Sequence, residues 1–241
     1  MALLELNTVP GLSLFLPCWN EERNLGPIVE QAAALLQDLA DEHEILIVND
    51  GSTDGTRDAA LALAARFPSV RLVDIPHGGY GAALNAGFTN ARHPWVAFLD
   101  ADGQFSVEDL PRLLALTGSQ SCVIGFREER AEGGVRRLNQ FLLKVWAYVL
   151  FGVPWQIRDL NCGFKLLRRD VFAECLPLRA RGGIVSAELV SGLVKQRVPI
   201  AQVGVRHFPR VHGKATGADP LVILKAVAET LDLLVLPRKT S

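Results

Sequence analysis

An alternation of two periods constrains this chain more than any other feature. Four short apolar runs, LSLFLP (12–17), EILIVND (44–50), VRLVDIP (70–76) and WVAFLDAD (95–102), alternate with stretches of helical period at 21–40, 54–66, 80–92 and 106–116. A strand that is apolar on both faces must be covered on both faces. Strand–helix alternation provides that cover as a parallel sheet with helices on each side. The spacing therefore predicts an α/β chain with a mostly parallel sheet and a Rossmann-like first half. Ligands of such sheets bind beyond the carboxyl ends of the strands. Three polar turns stand at those ends, PCWNEE (17–22), NDGSTDGT (49–56) and DADGQ (100–104), so their residues converge on one rim.

The second half is less regular. SCVIGFR (121–127), CGFKLLR (162–168) and IAQVGVRHF (200–208) read as further strands, with helices expected near 136–151, 184–196 and 219–236. No repeat, low-complexity tract or linker interrupts the chain, which reads as one domain over 1–241. Its hydrophobic content of 49% over 241 residues is enough for one sizeable core. Lys plus Arg total 25 against 26 for Asp plus Glu, and that balance argues against a general nucleic-acid binder. The four cysteines form no C-x-x-C pair, so they read as reduced core thiols in a cytoplasmic setting. The N-terminus lacks a basic segment before its apolar stretch, and no run of 18 apolar residues occurs, so neither a signal peptide nor a spanning helix is expected.

Asp100 and Asp102 stand two residues apart just past a buried strand, where both can turn toward one ion. Hard carboxylate oxygens suit Mg2+ or Mn2+ bridging diphosphate oxygens, and Gln104 could add a carbonyl oxygen. The bland alternative is a solvated turn with a helix cap. Asp50, at a strand tip, is placed to accept hydrogen bonds from a base or ribose, while Ser52, Thr53 and Asp54 can cap the next helix. Pro17 ends the first ladder, and Asn20 either caps a helix opening with Glu21 and Glu22 or contacts a nucleotide. Gly79-Tyr80-Gly81 nearly matches a dinucleotide fingerprint, but Leu84 replaces the third glycine, which discounts a Rossmann dehydrogenase.

Taken in order, PCWNEE, VNDGSTDGT, GYGAALNAG and FLDADGQF resemble the motifs of the inverting family 2 glycosyltransferases with a GT-A fold. The resemblance covers roughly residues 12 to 214. It is strongest to the branch containing dolichyl-phosphate mannose synthase and the bacterial polyprenyl-phosphate glycosyltransferases. It implies a nucleotide-sugar-binding half at 12–116 and an acceptor-binding half at 117–214. By that resemblance Pro17, Asn20, Glu21, Asp50 and Gly79 line the nucleotide-sugar site with Asp100, Ala101 and Asp102. Asp100, Asp102 and Gln104 would hold the metal. Many relatives carry Lys where this chain has Tyr80, which removes a cation near the donor. Gly125-Phe126-Arg127 with Gly133-Gly134, DLNCGFK (159–165) and RVHGK (210–214) resemble further segments of the polyprenyl-phosphate enzymes. Lys214 stands one position early and the Ser is absent. Arg127, Arg210 and Lys214 would then bind the acceptor phosphate, since cationic forks suit phosphate oxygens.

The implied reaction is in-line displacement at the anomeric carbon by a polyprenyl phosphate, with a nucleoside diphosphate leaving. A phosphate monoester with a second pKa of about 6 needs no general base, whereas a sugar hydroxyl does. Glu188 is the candidate base for a soluble transferase acting on a saccharide. A non-catalytic sugar-nucleotide-binding subunit is the reading from another class. His207 and His212 show no zinc-like spacing.

A lipid acceptor stays in its bilayer, so the enzyme must come to it. In LVILKAVAETLDLLVL (221–236), Lys225, Glu229 and Asp232 share one helical face. Such a helix is about 24 Å long, short of a bilayer core of roughly 30 Å, so it reads as an interface or partner helix. Arg136 and Arg137 precede LNQFLLKVWAYVLFGVPW (138–155), whose Trp146, Tyr148 and Trp155 suit a headgroup layer. For both stretches a core or homo-oligomer helix is the plain alternative. The expected location is the cytoplasmic face of a membrane, bound peripherally or through a membrane partner subunit.

Overall fold

The computed structural model describes residues 8–128, 145–212 and 228–233. Among the described residues there are seven strands: β1 (Val9–Cys18), β2 (Ala40–Asp50), β3 (Val70–Ile75), β4 (Trp95–Leu99), β5 (Cys122–Arg127), β6 (Phe164–Arg168) and β7 (Ile200–Val205). All belong to one sheet, in the order β3-β2-β1-β4-β6-β5-β7. Every neighbouring pair is parallel except those made by β6, which runs antiparallel to β4 and β5. The sheet thus continues from the first half of the chain into the second.

Period-two alternation assigns each strand's residues to two faces. Leu12, Leu14 and Leu16 of β1, Ile45 and Ile47 of β2, and Ala97 and Leu99 of β4 pack on one side. They meet α1 (Glu22–Leu39), α2 (Thr56–Arg66) and α4 (Leu110–Leu114). Phe15, Leu46, Val48, Val96 and Phe98 face the other way, against α3 (Tyr80–Asn90) and the helices Arg169–Ala173 and Val185–Lys195. Phe15 stacks on Phe98 and meets Phe88 edge-on. Each fully buried ring contributes about 1.5–3 kcal/mol by area. Residue 87 must be glycine here, because a β-carbon would stand 2.3 Å from the Phe15 ring. All four cysteines are free and buried, as small core residues should be.

Some local expectations change. Pro17 does not end the β1 ladder: it pairs in register with Val48, and Cys18 follows opposite Asn49. Gly55 stands at the start of α2, and of the three expected capping side chains it is Asp54 whose Oδ1 accepts the Thr56 amide, at 3.0 Å. Residues 106–116 form a 3₁₀ turn (Val107–Asp109) leading into α4. Gly133, Gly134, Arg136, Arg137, Gly213, Lys214 and Lys225 lie outside the described residues. Of the two apolar helices, 145–151 and 228–233 are described, and both are helical. Among the described residues no helix is long and apolar enough to cross a membrane.

Candidate active site

Neighbouring strands β1 and β4 lead away from each other in sequence, one toward β2 and the other toward β6. A cleft opens at such a switch point, at the carboxyl ends of the strands. PCWNEE leaves β1 there, DADGQ leaves β4, and NDGSTDGT leaves β2 alongside.

The turns after β1 and β2 interlock. Asn20, at φ 59, accepts from the Thr53 amide at 2.8 Å through Oδ1 and donates its own amide to Ser52 Oγ at 3.0 Å. The Glu21 amide donates to Thr56 Oγ1 at 2.8 Å. Asn20 is therefore a loop clamp rather than a helix cap. Asp50 is buried, and its carboxylate accepts from the Gly78 and Gly79 amides at 2.7 and 2.9 Å, with His77 Nδ1 at 3.0 Å. It fixes the loop after β3 to the tip of β2. Pro17 and Ala101 are buried behind the rim.

The acid pair stands just past the end of β4. Asp100 donates its amide to the Gly163 carbonyl at 3.0 Å and accepts from the Tyr80 hydroxyl at 2.7 Å. Burial, and then the neighbouring Asp102 charge, push its carboxyl up to about 7. The Tyr80 phenol is held above its ordinary value by burial and then by Asp100, so it remains a donor. Beneath them Lys165 is 1% exposed, with Nζ on the Cys162 carbonyl, and burial lowers its pKa. Asp102 Oδ1 accepts from the Gln104 amide at 3.0 Å. Across the cleft, Arg210 is bonded to Glu21 through Nη2, and its Nη1 stands 3.6 Å from Asp102 Oδ2. Burial raises the Glu21 pKa, against the opposing pull of Asn24 and Arg210.

Two hard carboxylates match the habit of Mg2+ and Mn2+, which take one or two carboxylates and complete their shell from phosphates and water. Among the described residues no cluster of three or more His, Cys, Asp or Glu could hold a metal. The residues present thus fit a cation that arrives with a diphosphate.

Several candidates are spoken for. Arg127 lies away from solvent with its fork on Asp159, at 2.7 Å from Nε and 2.9 Å from Nη2. A phosphate reaching it would have to displace that carboxylate. Gln104 turns its amide nitrogen to the Phe208 carbonyl at 3.2 Å, tying the segment after β7 to the acid turn. Glu188 is buried, and its Oε2 accepts the Arg179 and Ala180 amides at 2.8 and 2.9 Å. That makes it an anchor for the loop at Arg179–Ala180. The loop it anchors explains the GYG motif. Gly81 donates its amide to the Arg181 carbonyl at 2.9 Å, and a β-carbon there would stand 1.8 Å from the Ala180 oxygen.

One rim residue escaped the sequence reading. Trp19 is 49% exposed and stacks on His77, with centroids 5.2 Å apart. The available signal was a large aromatic inside an otherwise polar strand-end turn. Elsewhere, Trp146 donates to Thr230 and Glu229 accepts from the Gly182 amide at 3.1 Å. Glu229 is thus docked on protein rather than left on a solvated face. Tyr148 and Trp155 are exposed and meet edge-on.

Comparison with known proteins bears on the family and the fold. A profile for the family described as Glycosyl transferase family 2 matches residues 13–176. The chain is 29% identical to a dolichyl-phosphate beta-glucosyltransferase of Trichomonas vaginalis, over 81% of this chain and 73% of that one. It is 30% identical to an undecaprenyl-phosphate 4-deoxy-4-formamido-L-arabinose transferase of Pseudomonas aeruginosa, over 85% of this chain and 59% of that one. A dodecaprenyl-phosphate galacturonate synthase of Rhizobium johnstonii is 28% identical, over 84% and 60%. The chain thus spans about three fifths of the length of the latter two relatives. Among solved structures, glucosyl-3-phosphoglycerate synthase of Mycobacterium tuberculosis superposes with a TM-score of 0.71, covering 95% of this chain and 82% of that one at 22% identity. The same enzyme in complex with Mn2+, UDP and glucosyl-3-phosphoglycerate gives 0.70 at 23% identity, over 95% and 82%. These likenesses bear out the GT-A fold.

Proposed function

The chain belongs to glycosyl transferase family 2, and on that premise we propose that it moves a sugar from a UDP- or GDP-linked donor to a polyprenyl phosphate, with inversion. The observation that carries the reading is the acid pair at the switch-point cleft with Arg210 across from it. Support for the acceptor class comes from the dolichyl-, undecaprenyl- and dodecaprenyl-phosphate substrates in the relatives' names.

The donor lies along the rim. Trp19 offers the base a stacking face, and the Asp50-held loop forms the floor beside it. Asp100 and Asp102 would hold Mg2+ or Mn2+, whose charge would offset that growing on the departing diphosphate. Solved neighbours with UDP and Mn2+ or Mg2+ favour a divalent ion. Arg210 lets go of Asp102 as the donor enters and turns its fork to the oxygens of the acceptor phosphate. An acceptor phosphate oxygen attacks the anomeric carbon while the bond to the diphosphate breaks. No proton has to be removed from that nucleophile, because a phosphate monoester is largely ionised at neutral pH. This agrees with a site whose only nominated base, Glu188, already anchors two backbone amides. Arg127 supports the cleft wall from its pair with Asp159, and Lys214 remains an acceptor-phosphate candidate by resemblance alone.

Peripheral attachment to the cytoplasmic face of a membrane fits the lipid acceptor. The exposed Tyr148, Val149 and Trp155 supply an apolar and amphipathic contact, and the buried free thiols suit a reducing compartment.

The test is a screen of UDP- and GDP-sugars with Mn2+ against a short polyprenyl phosphate and a panel of saccharides. A polyprenyl-phosphate sugar is the expected product. Transfer to saccharides alone would move the assignment to the soluble branch, and binding without turnover would make the chain a non-catalytic subunit.

A further inference from the structure

Tyr80 has no part in the scheme above, yet the fold takes trouble over it. Its backbone is clamped from both sides. The two residues before it, Gly78 and Gly79, donate their amides to the buried Asp50 carboxylate. The residue after it, Gly81, donates to the Arg181 carbonyl and lies so close to Ala180 that no side chain fits. From that fixed base the phenol reaches Asp100 Oδ1 at 2.7 Å. The opposite oxygen, Oδ2, is walled by Gly163: a β-carbon there would stand 1.8 Å from it. One carboxylate is therefore gripped between a hydroxyl and a glycine, at the base of the cleft.

We infer that Tyr80 is a positioning residue of the donor site: its neutral hydroxyl orients Asp100 for the cation without adding a positive charge that would compete with it. The inference rests on the donor-site reading proposed above. Two physical points support it. Partners behind a ligating carboxylate set its orientation, and their loss typically costs 10–100-fold in metal affinity. A lysine at the same place, as the resemblance leads one to expect, would add a point charge beside an acid pair that has to attract a divalent cation. A phenol supplies the hydrogen bond alone.

The experiment is calorimetric titration of Mn2+ in the presence of UDP or GDP, whichever the wild-type chain binds, compared with Tyr80→Phe. Phe keeps the ring and removes only the hydroxyl. The expected result is a rise of about tenfold in half-saturating Mn2+, with metal-free nucleotide affinity unchanged within about twofold. The metal-free melting temperature should stay within about 3 °C. A half-saturation matching wild type would overturn the inference. So would an equal loss of metal-free nucleotide binding, since that would mean the ring only shapes the pocket. Gly163→Ala crowds the same carboxylate from the other side and is expected to weaken Mn2+ in the same way. It keeps the question open to test should Tyr80→Phe not fold, and unchanged Mn2+ binding by a folded Gly163→Ala would overturn the inference too. If wild type shows no Mn2+-dependent nucleotide binding, the donor-site reading itself has failed. If wild type binds and Tyr80→Phe binds as well, only the assignment of Tyr80 has failed.

Discussion

The guanidinium of Arg210 reaches toward Asp102, with Nη1 3.6 Å from Oδ2, while its other terminal nitrogen is bonded to Glu21. In the proposed reading it stands where the donor diphosphate enters. Arg210→Ala should lower sugar transfer by about a hundredfold, as expected for losing a preorganised cationic donor. Binding of Mn2+ with nucleotide should hold or tighten, because a cation beside Asp102 has gone. Parallel turnover and calorimetry measure the two effects. Loss of both together would place Arg210 in donor binding rather than in transfer.

Glu188→Gln tests the hydroxyl route. The native carboxylate accepts two backbone amides from one oxygen, and an amide oxygen can still accept both. Turnover should stay within about threefold, and stability should fall by about 1 kcal/mol, since bonds to a charged acceptor are the stronger ones. A hundredfold drop in turnover at unchanged melting temperature would restore Glu188 as a base.

Asp159→Asn should be far more damaging to the fold. It removes the negative charge facing the Arg127 guanidinium, whose side chain is 9% exposed and bonded to Asp159 through two nitrogens. Removing one partner of a buried ion pair typically costs about 3–5 kcal/mol. Urea unfolding reads this directly. A cost below about 1 kcal/mol would show that the pair is worth no more than a surface contact.

At the opposite rim, Glu44 makes a pH prediction. Burial pushes its carboxyl upward, but bonds from Ser13 Oγ, the Arg92 amide and Arg71 outweigh burial and hold it below the ordinary value of 4.5. The folded chain thus binds this proton more weakly than the unfolded chain. The resulting stability is complete above the unfolded value and is lost as pH falls through the folded one. Glu44→Gln should cost about 1–3 kcal/mol at pH 7, with the gap to wild type closing below pH 4.5. A gap that stays constant down the whole acid range would contradict this.

The seven strands and the rim were readable because a buried strand writes its length in apolar residues and its end in polar ones. Asp100, Asp102, Asp50 and Asn20 all stand at or just past such ends. Partner identity was not readable. Arg127 and Asp159 are 32 residues apart, and Arg210 and Glu21 are 189 apart. Periodicity reports which face a residue buries, not what it meets there. Glu188 illustrates the limit: a lone acid on an apolar helix looks like a base until the loop that it anchors is in place. The glycines flanking Tyr80 looked like a nucleotide fingerprint for the same reason, and the loop at Ala180–Arg181 that packs on them lies about a hundred residues further along. The reversal of β6 had no sequence signal, since an apolar run does not encode its direction.

The account stands or falls on the acid pair. The most direct measurement is an anomalous diffraction map from a crystal grown with Mn2+ and the bound nucleoside diphosphate. The prediction is a peak at Asp102, with Asp100 turned to the same ion and the diphosphate completing its shell at about 2.0–2.3 Å. A nucleotide seated elsewhere, or both carboxylates turned away from the ion, would contradict it.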